Sequence, residues 1–209
     1  NASIPIVKMS VKSSFELYCE FLRKEFEGED SWIFIAKERT FAVMENLRFY
    51  LASKDPLSPL YLGHPRVFWN VAYNWINAGI VLSPGSIRAF KVHKWGRFWG
   101  NGDWYLGKYF LDRLNITPSD TRDHVGRGRF NGFSIYRLIF PGGISLLDNY
   151  WKDSLYVSPV GPQCCSKAAV TFHDVPSNSK MYQMYYLFYR LISFPSGGGH
   201  GNKSPPNKK

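Results

Sequence analysis

The 209 residues carry a net charge of +10, an ordinary apolar content and many aromatics: 7 Trp, 13 Tyr and 16 Phe. That composition describes one folded globular domain and excludes an intrinsically disordered chain. No apolar run approaches the roughly 20 residues that a membrane span needs, so any signal or anchor is expected upstream of Asn1.

In chain order, residues 4–11 read as a first strand. Ser13-Ser14-Phe15-Glu16 is a capping-box pattern, and Phe15, Tyr18, Cys19, Leu22 and Phe26 then fall on one helical face. Cys19 on that stripe reads as a core thiol. Gly28-Glu29-Asp30 ends the helix, and residues 32–36 form a continuously apolar run expected to be a fully buried strand. The run stops at Lys37-Glu38-Arg39. Thr40 is expected to cap a helix that turns Phe41, Met44, Leu47 and Leu51 inward and ends at Lys54-Asp55-Pro56, since proline cannot continue helical hydrogen bonding.

Residues 60–63 and 78–83 read as further strands, and 86–91 as the start of a short helix. Residues 95–107 are expected to form a Gly- and Trp-rich loop, 106–114 a helix, and 118–143 an ordered loop with short strands. A strand follows at 168–172, then a last helix at 180–192 with Met181, Met184, Tyr185, Phe188 and Ile192 inward. Strands alternating with helices predict an α/β class, with one domain over 1–195 and a flexible Gly/Pro/Lys tail over 196–209.

The three cysteines show no zinc-like spacing. Cys164 and Cys165 are adjacent, an arrangement that strains the intervening peptide out of disulfide geometry; each would prefer a distant partner, and only Cys19 is available. Asn1-Ala2-Ser3, Asn115-Ile116-Thr117 and Asn202-Lys203-Ser204 are glycosylation sequons, relevant if the chain is lumenal.

Several ordered segments carry a resemblance. They are residues 41–51, Lys54-Asp55-Pro56, Tyr61-Leu62-Gly63-His64 and Gly79-Ile80-Val81-Leu82-Ser83, then Asp120-Thr121-Arg122-Asp123 and Gly126-Arg127-Gly128-Arg129-Phe130. Gly161-Pro162-Gln163-Cys164-Cys165-Ser166 and Ala169-Val170-Thr171-Phe172-His173 complete the set. In this order they resemble the core 1 β1,3-galactosyltransferases (T-synthase), a fringe-related family, and its non-catalytic relative, the chaperone Cosmc. The resemblance implies a GT-A-like mixed sheet flanked by helices, with the first nucleotide-binding strand lying upstream of Asn1. It also implies a place in the endoplasmic reticulum or Golgi lumen as a single-pass type II membrane protein. Active members would use Mn²⁺ and UDP-galactose on a GalNAc-bearing glycoprotein acceptor; a Cosmc-like member would have an active core 1 galactosyltransferase as client.

The family's metal-binding Asp-Asp-Asp triplet falls on Lys37, Glu38 and Arg39. A divalent ion bridging a diphosphate needs hard oxygen ligands, and only Glu38 supplies one. Each misplaced unit charge at about 4 Å is worth on the order of 4 kcal/mol at an effective dielectric near 20. His173 matches the family's downstream metal-ligand histidine, now without a cluster to join. The acidic pair that supplies a general base falls on Gly102-Asp103, leaving Asp103 as base or as helix N-cap. The small-residue loop Gly-Gly-Ala-Gly becomes Ile76-Asn77-Ala78-Gly79, where Ile76 adds bulk. The family's distant partners for the cysteine pair are missing, Tyr109 standing at one of their places.

The expectation is a degraded metal and nucleotide site, no cofactor, and a Cosmc-like binding role. The alternative is a metal-independent transferase in which Lys37 and Arg39 hold the diphosphate. Gly126-Arg127-Gly128-Arg129 is a weak nucleic-acid signal with a family explanation, so no nucleic-acid partner is expected.

Overall fold

The computed structural model describes residues 13–25, 31–90 and 101–190. The expected strand at 4–11, Phe26, Ile192 and the tail lie outside the described residues. In chain order the elements are α1 (Ser14–Glu25), β1 (Ile33–Ile35), β2 (Phe41–Ala42), α2 (Met44–Leu51), β3 (Tyr61–Leu62), β4 (Pro65–Phe68) and β5 (Val71–Asn74). A 3₁₀ turn (Ile76–Ala78) leads into β6 (Ile80–Leu82), α3 (Pro84–Ala89) and α4 (Gly102–Leu114). Then come β7 (Phe130–Asn131), α5 (Ile135–Ile139), α6 (Asn149–Asp153), β8 (Thr171–Phe172) and α7 (Asn178–Tyr189). The class is mixed α/β: short sheets with helices on their faces.

The central sheet has the order β1-β6-β3, all antiparallel, with Ile33 and Tyr61 both opposite Leu82. Alternation along β6 explains its double burial. Ile80 and Leu82 join Phe15, Tyr61, Leu106 and Phe110 under α1 and α4, while Val81 joins Leu47, Leu62 and Phe130 on the other face. At the start of α1 the expected Ser13 cap forms, with Glu16 N–H donating to Ser13 Oγ at 3.1 Å. Cys19 packs against the first of these clusters, and burial, with Glu16 nearby, pushes its thiol up to about 12, which suits a packing residue.

A second sheet, β2-β8-β7, pairs β2 antiparallel and β7 parallel to β8. Beneath it Phe188 of α7 lies 5.7 Å from Phe41 and 5.6 Å from Phe172, between ring centroids. Tyr189 hydroxyl donates to Glu45 Oε2 at 2.6 Å, tying α7 to α2. The β4–β5 hairpin turns through two residues, Trp69 and Asn70, with φ of 47° and 59°. It lies close on α4 because Gly107 has no Cβ: one built there would sit 2.3 Å from Tyr73 Cβ.

Four expectations are corrected. β1 is an edge strand among the described residues, with Ile33 buried and Phe34 and Ile35 only partly so. Thr40 does not cap α2; residues 41 and 42 pair with β8 instead, and α2 starts after Val43 without a side-chain cap. Tyr185 is 42% exposed and stacks on Tyr189 at the rim, so the inward stripe of α7 is Met181, Met184 and Phe188. Cys164 and Cys165 are bonded to each other, with Cα atoms 3.7 Å apart, while Cys19 is committed to a different core.

Candidate functional site

Four short segments meet where β1, β6, α4 and β8 begin or end. The chain leaves β1 in a turn closed by Thr40 N–H donating to Lys37 O at 3.0 Å, which puts Glu38 exposed at its crest. Lys37 Nζ reaches Asn77 Oδ1 in the 3₁₀ turn at 2.8 Å. Thr40 Oγ1 lies 3.3 Å from Asn77 O, to which it can donate, and 2.9 Å from His173 Nδ1. Arg39 Nη2 donates to Asp174 Oδ1 at 2.5 Å, and Val175 N–H donates to Arg39 O at 3.1 Å. The turn is therefore fastened at Lys37 to the 3₁₀ turn before β6, and at Arg39 and Thr40 to the segment after β8.

His173 is 8% exposed, with its N–H shared between Asn131 O and Phe133 O. Burial first, then the cations Lys37 and Arg39, hold its imidazole below the usual histidine range, while Asp174 opposes them. The ring is therefore neutral at neutral pH. Asp174 adopts a φ of 60°, a left-handed conformation that Asp tolerates better than most residues.

Asp103 is 8% exposed in the first turn of α4. Asn101, not Asp103, is the N-cap of that helix. The Asp103 carboxylate instead accepts from Ile76 N–H at 3.1 Å and Trp104 N–H at 3.0 Å, so it holds the first residue of the 3₁₀ turn. Burial raises its pKa, against the pull of those bonds and of Lys37. Ile76 does not intrude on the polar cluster: its side chain is 7% exposed and belongs to the central core. Gly79, with φ of 82°, is required here, because a Cβ would lie 2.6 Å from the Phe34 ring.

Lys37, Arg39, Asp103 and His173, far apart in the chain, are thus brought around one turn, and Glu38 stands apart from them. Sequence reasoning missed Asn77, Thr171 and Asp174. Thr171 Oγ1 donates to Ala78 O at 2.5 Å, and only the polar position inside an otherwise apolar strand hints at that bond.

The Mn²⁺ that the resemblance implies does not fit these residues. Among the described residues no group of three or more His, Cys, Asp and Glu is placed to hold a metal ion. His173 is engaged by Thr40 and Asp174 by Arg39, with the Lys37 ammonium close enough to perturb the imidazole. An apolar cleft of about 420 Å³, lined by Trp32, Phe34, Met44, Leu47, Arg48 and Leu51 among others, shares no residue with the polar cluster.

No helix among the described residues is long and apolar enough to cross a membrane. No family model matches the chain. Over 177 residues it is 28% identical to glycoprotein-N-acetylgalactosamine 3-beta-galactosyltransferase 1 of Xenopus laevis, a match covering 82% of this chain and 49% of that protein. The chain spans about half the length of this relative. That likeness, with the ordered motifs, supports a relationship to the core 1 β1,3-galactosyltransferases.

Proposed function

We propose that the chain is a galactosyltransferase-family protein with a degraded metal and nucleotide site, acting as a Cosmc-like chaperone or partner in mucin-type O-glycosylation. Its client on this reading is an active core 1 galactosyltransferase, or it meets the GalNAc-bearing glycoprotein that such an enzyme modifies. It works in the lumen of the endoplasmic reticulum or Golgi as a single-pass type II protein, with no cofactor. One observation carries the reading: Arg39 is spent on Asp174 and Lys37 on Asn77, so both cations at the position of the triplet are engaged by neighbouring side chains. The arginines of the Gly-Arg loop are also held internally, Arg127 by Gln163 and Arg129 over the Tyr50 ring, which favours a protein client over nucleic acid. Titrating the full-length protein with UDP, with and without Mn²⁺, and assaying galactose transfer to a GalNAc-peptide tests it. The expected result is neither binding nor transfer; measurable transfer ends the proposal.

A second reading has one observation in its favour. Asp103 is a buried carboxylate bonded to the same 3₁₀ turn that Lys37 reaches, which makes it the candidate base of a metal-independent UDP-galactose transferase. It requires UDP binding that survives EDTA.

A further inference from the structure

The turn of the β4–β5 hairpin carries Trp69 at a φ of 47°, followed by Asn70 at 59°. Two-residue turns of this kind favour Asn and Gly, and a bulky residue there is disfavoured. Trp69 nevertheless stands there 79% exposed. Its ring stacks on Phe68 at 5.1 Å and 16°, and meets the Trp104 ring edge-on at 6.4 Å and 90°. Trp104 Nε1–H donates to Phe68 O at 3.0 Å, so the hairpin tip is bonded to the first turn of α4. The close approach at Gly107 fixes the same two elements one turn further along. A strained, exposed indole held from two sides is a presented surface rather than a packing residue. Trp104 directly follows Asp103, which sets this surface next to the polar cluster in the chain.

The geometry points to a stacking platform, Trp69 with Phe68 and Trp104, for the C–H face of a pyranose ring. The proposal rests on the branch of the reading above in which the chain meets a GalNAc-bearing glycoprotein, which makes the sugar a protein-linked N-acetylgalactosamine. The C–H bonds of a pyranose present an apolar, slightly positive face that suits the negative face of an indole, while its hydroxyls stay solvated or meet polar neighbours such as exposed Asn70. A patch of about three rings falls short of a stable protein interface, which buries roughly 1,200 Å² or more, but it matches one sugar residue.

Calorimetry on the whole protein with a GalNAc-threonine peptide, its unglycosylated form and a panel of other pyranosides tests the platform. Trp69→Asn restores a favoured turn residue and is expected to melt at or above the wild-type temperature, so lost binding would not reflect unfolding. The expected result is glycopeptide binding that Trp69→Asn weakens at least about ten-fold. Binding of another pyranoside, but not of N-acetylgalactosamine, with the same dependence keeps the platform and removes the mucin-type reading. Glycopeptide binding indifferent to Trp69→Asn overturns the platform and leaves that reading standing. Equal affinity for the unglycosylated peptide, or no binding at all, overturns the platform.

Discussion

Arg39 and Asp174 face each other across the gap between β1 and β8, with Nη2 and Oδ1 2.5 Å apart. Their side chains are 48% and 44% exposed, so solvent screens the pair and its worth is about 0–1 kcal/mol. Its importance lies in where it stands. A cation and an anion that would have to separate before any metal or diphosphate could enter already satisfy each other.

Replacing the two cations should restore what the site lacks. Lys37→Asp with Arg39→Asp places two carboxylates beside Glu38 and frees Asp174. Electron paramagnetic resonance is expected to show Mn²⁺ binding by the double variant and none by the wild type. Equal behaviour of the two would refute the electrostatic account of the site.

Asp103 offers a stability test. Its folded pKa is raised by burial, so the stability it contributes is fully present below the unfolded carboxyl pKa and is lost as pH rises through the folded value. Asp103→Asn keeps an acceptor for Ile76 N–H without a buried charge and should be at least as stable as wild type at pH 7. Asp103→Ala leaves that N–H without its partner and should cost about 1–3 kcal/mol in urea denaturation.

His64 sets a pH dependence of opposite sign. Burial first, then Arg66, brings its pKa down to about 4 from 6.5, and its Nε2 lies 3.2 Å from Ser154 Oγ. Between those values the unfolded chain takes up a proton that the folded chain refuses. Stability therefore falls as pH drops from about 6.5 to 4, by on the order of 3 kcal/mol. In His64→Phe, which keeps a ring beside Tyr150, chemical denaturation across that range should lose this part of the slope.

Gly79→Ala should be costly although it adds a single carbon. The position has φ of 82°, and the new methyl would meet the Phe34 ring at 2.6 Å. A loss of about 2 kcal/mol or more is expected from thermal unfolding. A neutral result would mean that Phe34, only partly buried at the edge of its sheet, can move aside.

Local rules made much of the fold legible. The Ser-x-x-Glu pattern at Ser13 and Glu16 marked the start of α1, and the apolar runs located β1, β3 and β6. What they missed were choices made by partners distant in sequence. Thr40 satisfies a helix-cap pattern, yet the edge of β8 recruits the next two residues and leaves the Thr40 hydroxyl for His173. Ile76 read as an obstruction because nothing local says which way a turn residue points; the core under α4 takes it. In the site, Lys37, Arg39, Asp103 and His173 could be nominated by resemblance. Asn77 and Asp174 could not, because their part is to neutralise or orient the others, and no spacing rule encodes that.

The bond from Tyr189 to Glu45 spans 144 positions of sequence and joins the last described helix to the first helix after β2. Removing α7 would strip Glu45 of its phenol and bare Phe41 and Phe172 to water. A shortened version ending before Asn178 should therefore be insoluble, and any fusion at this end belongs beyond Arg190.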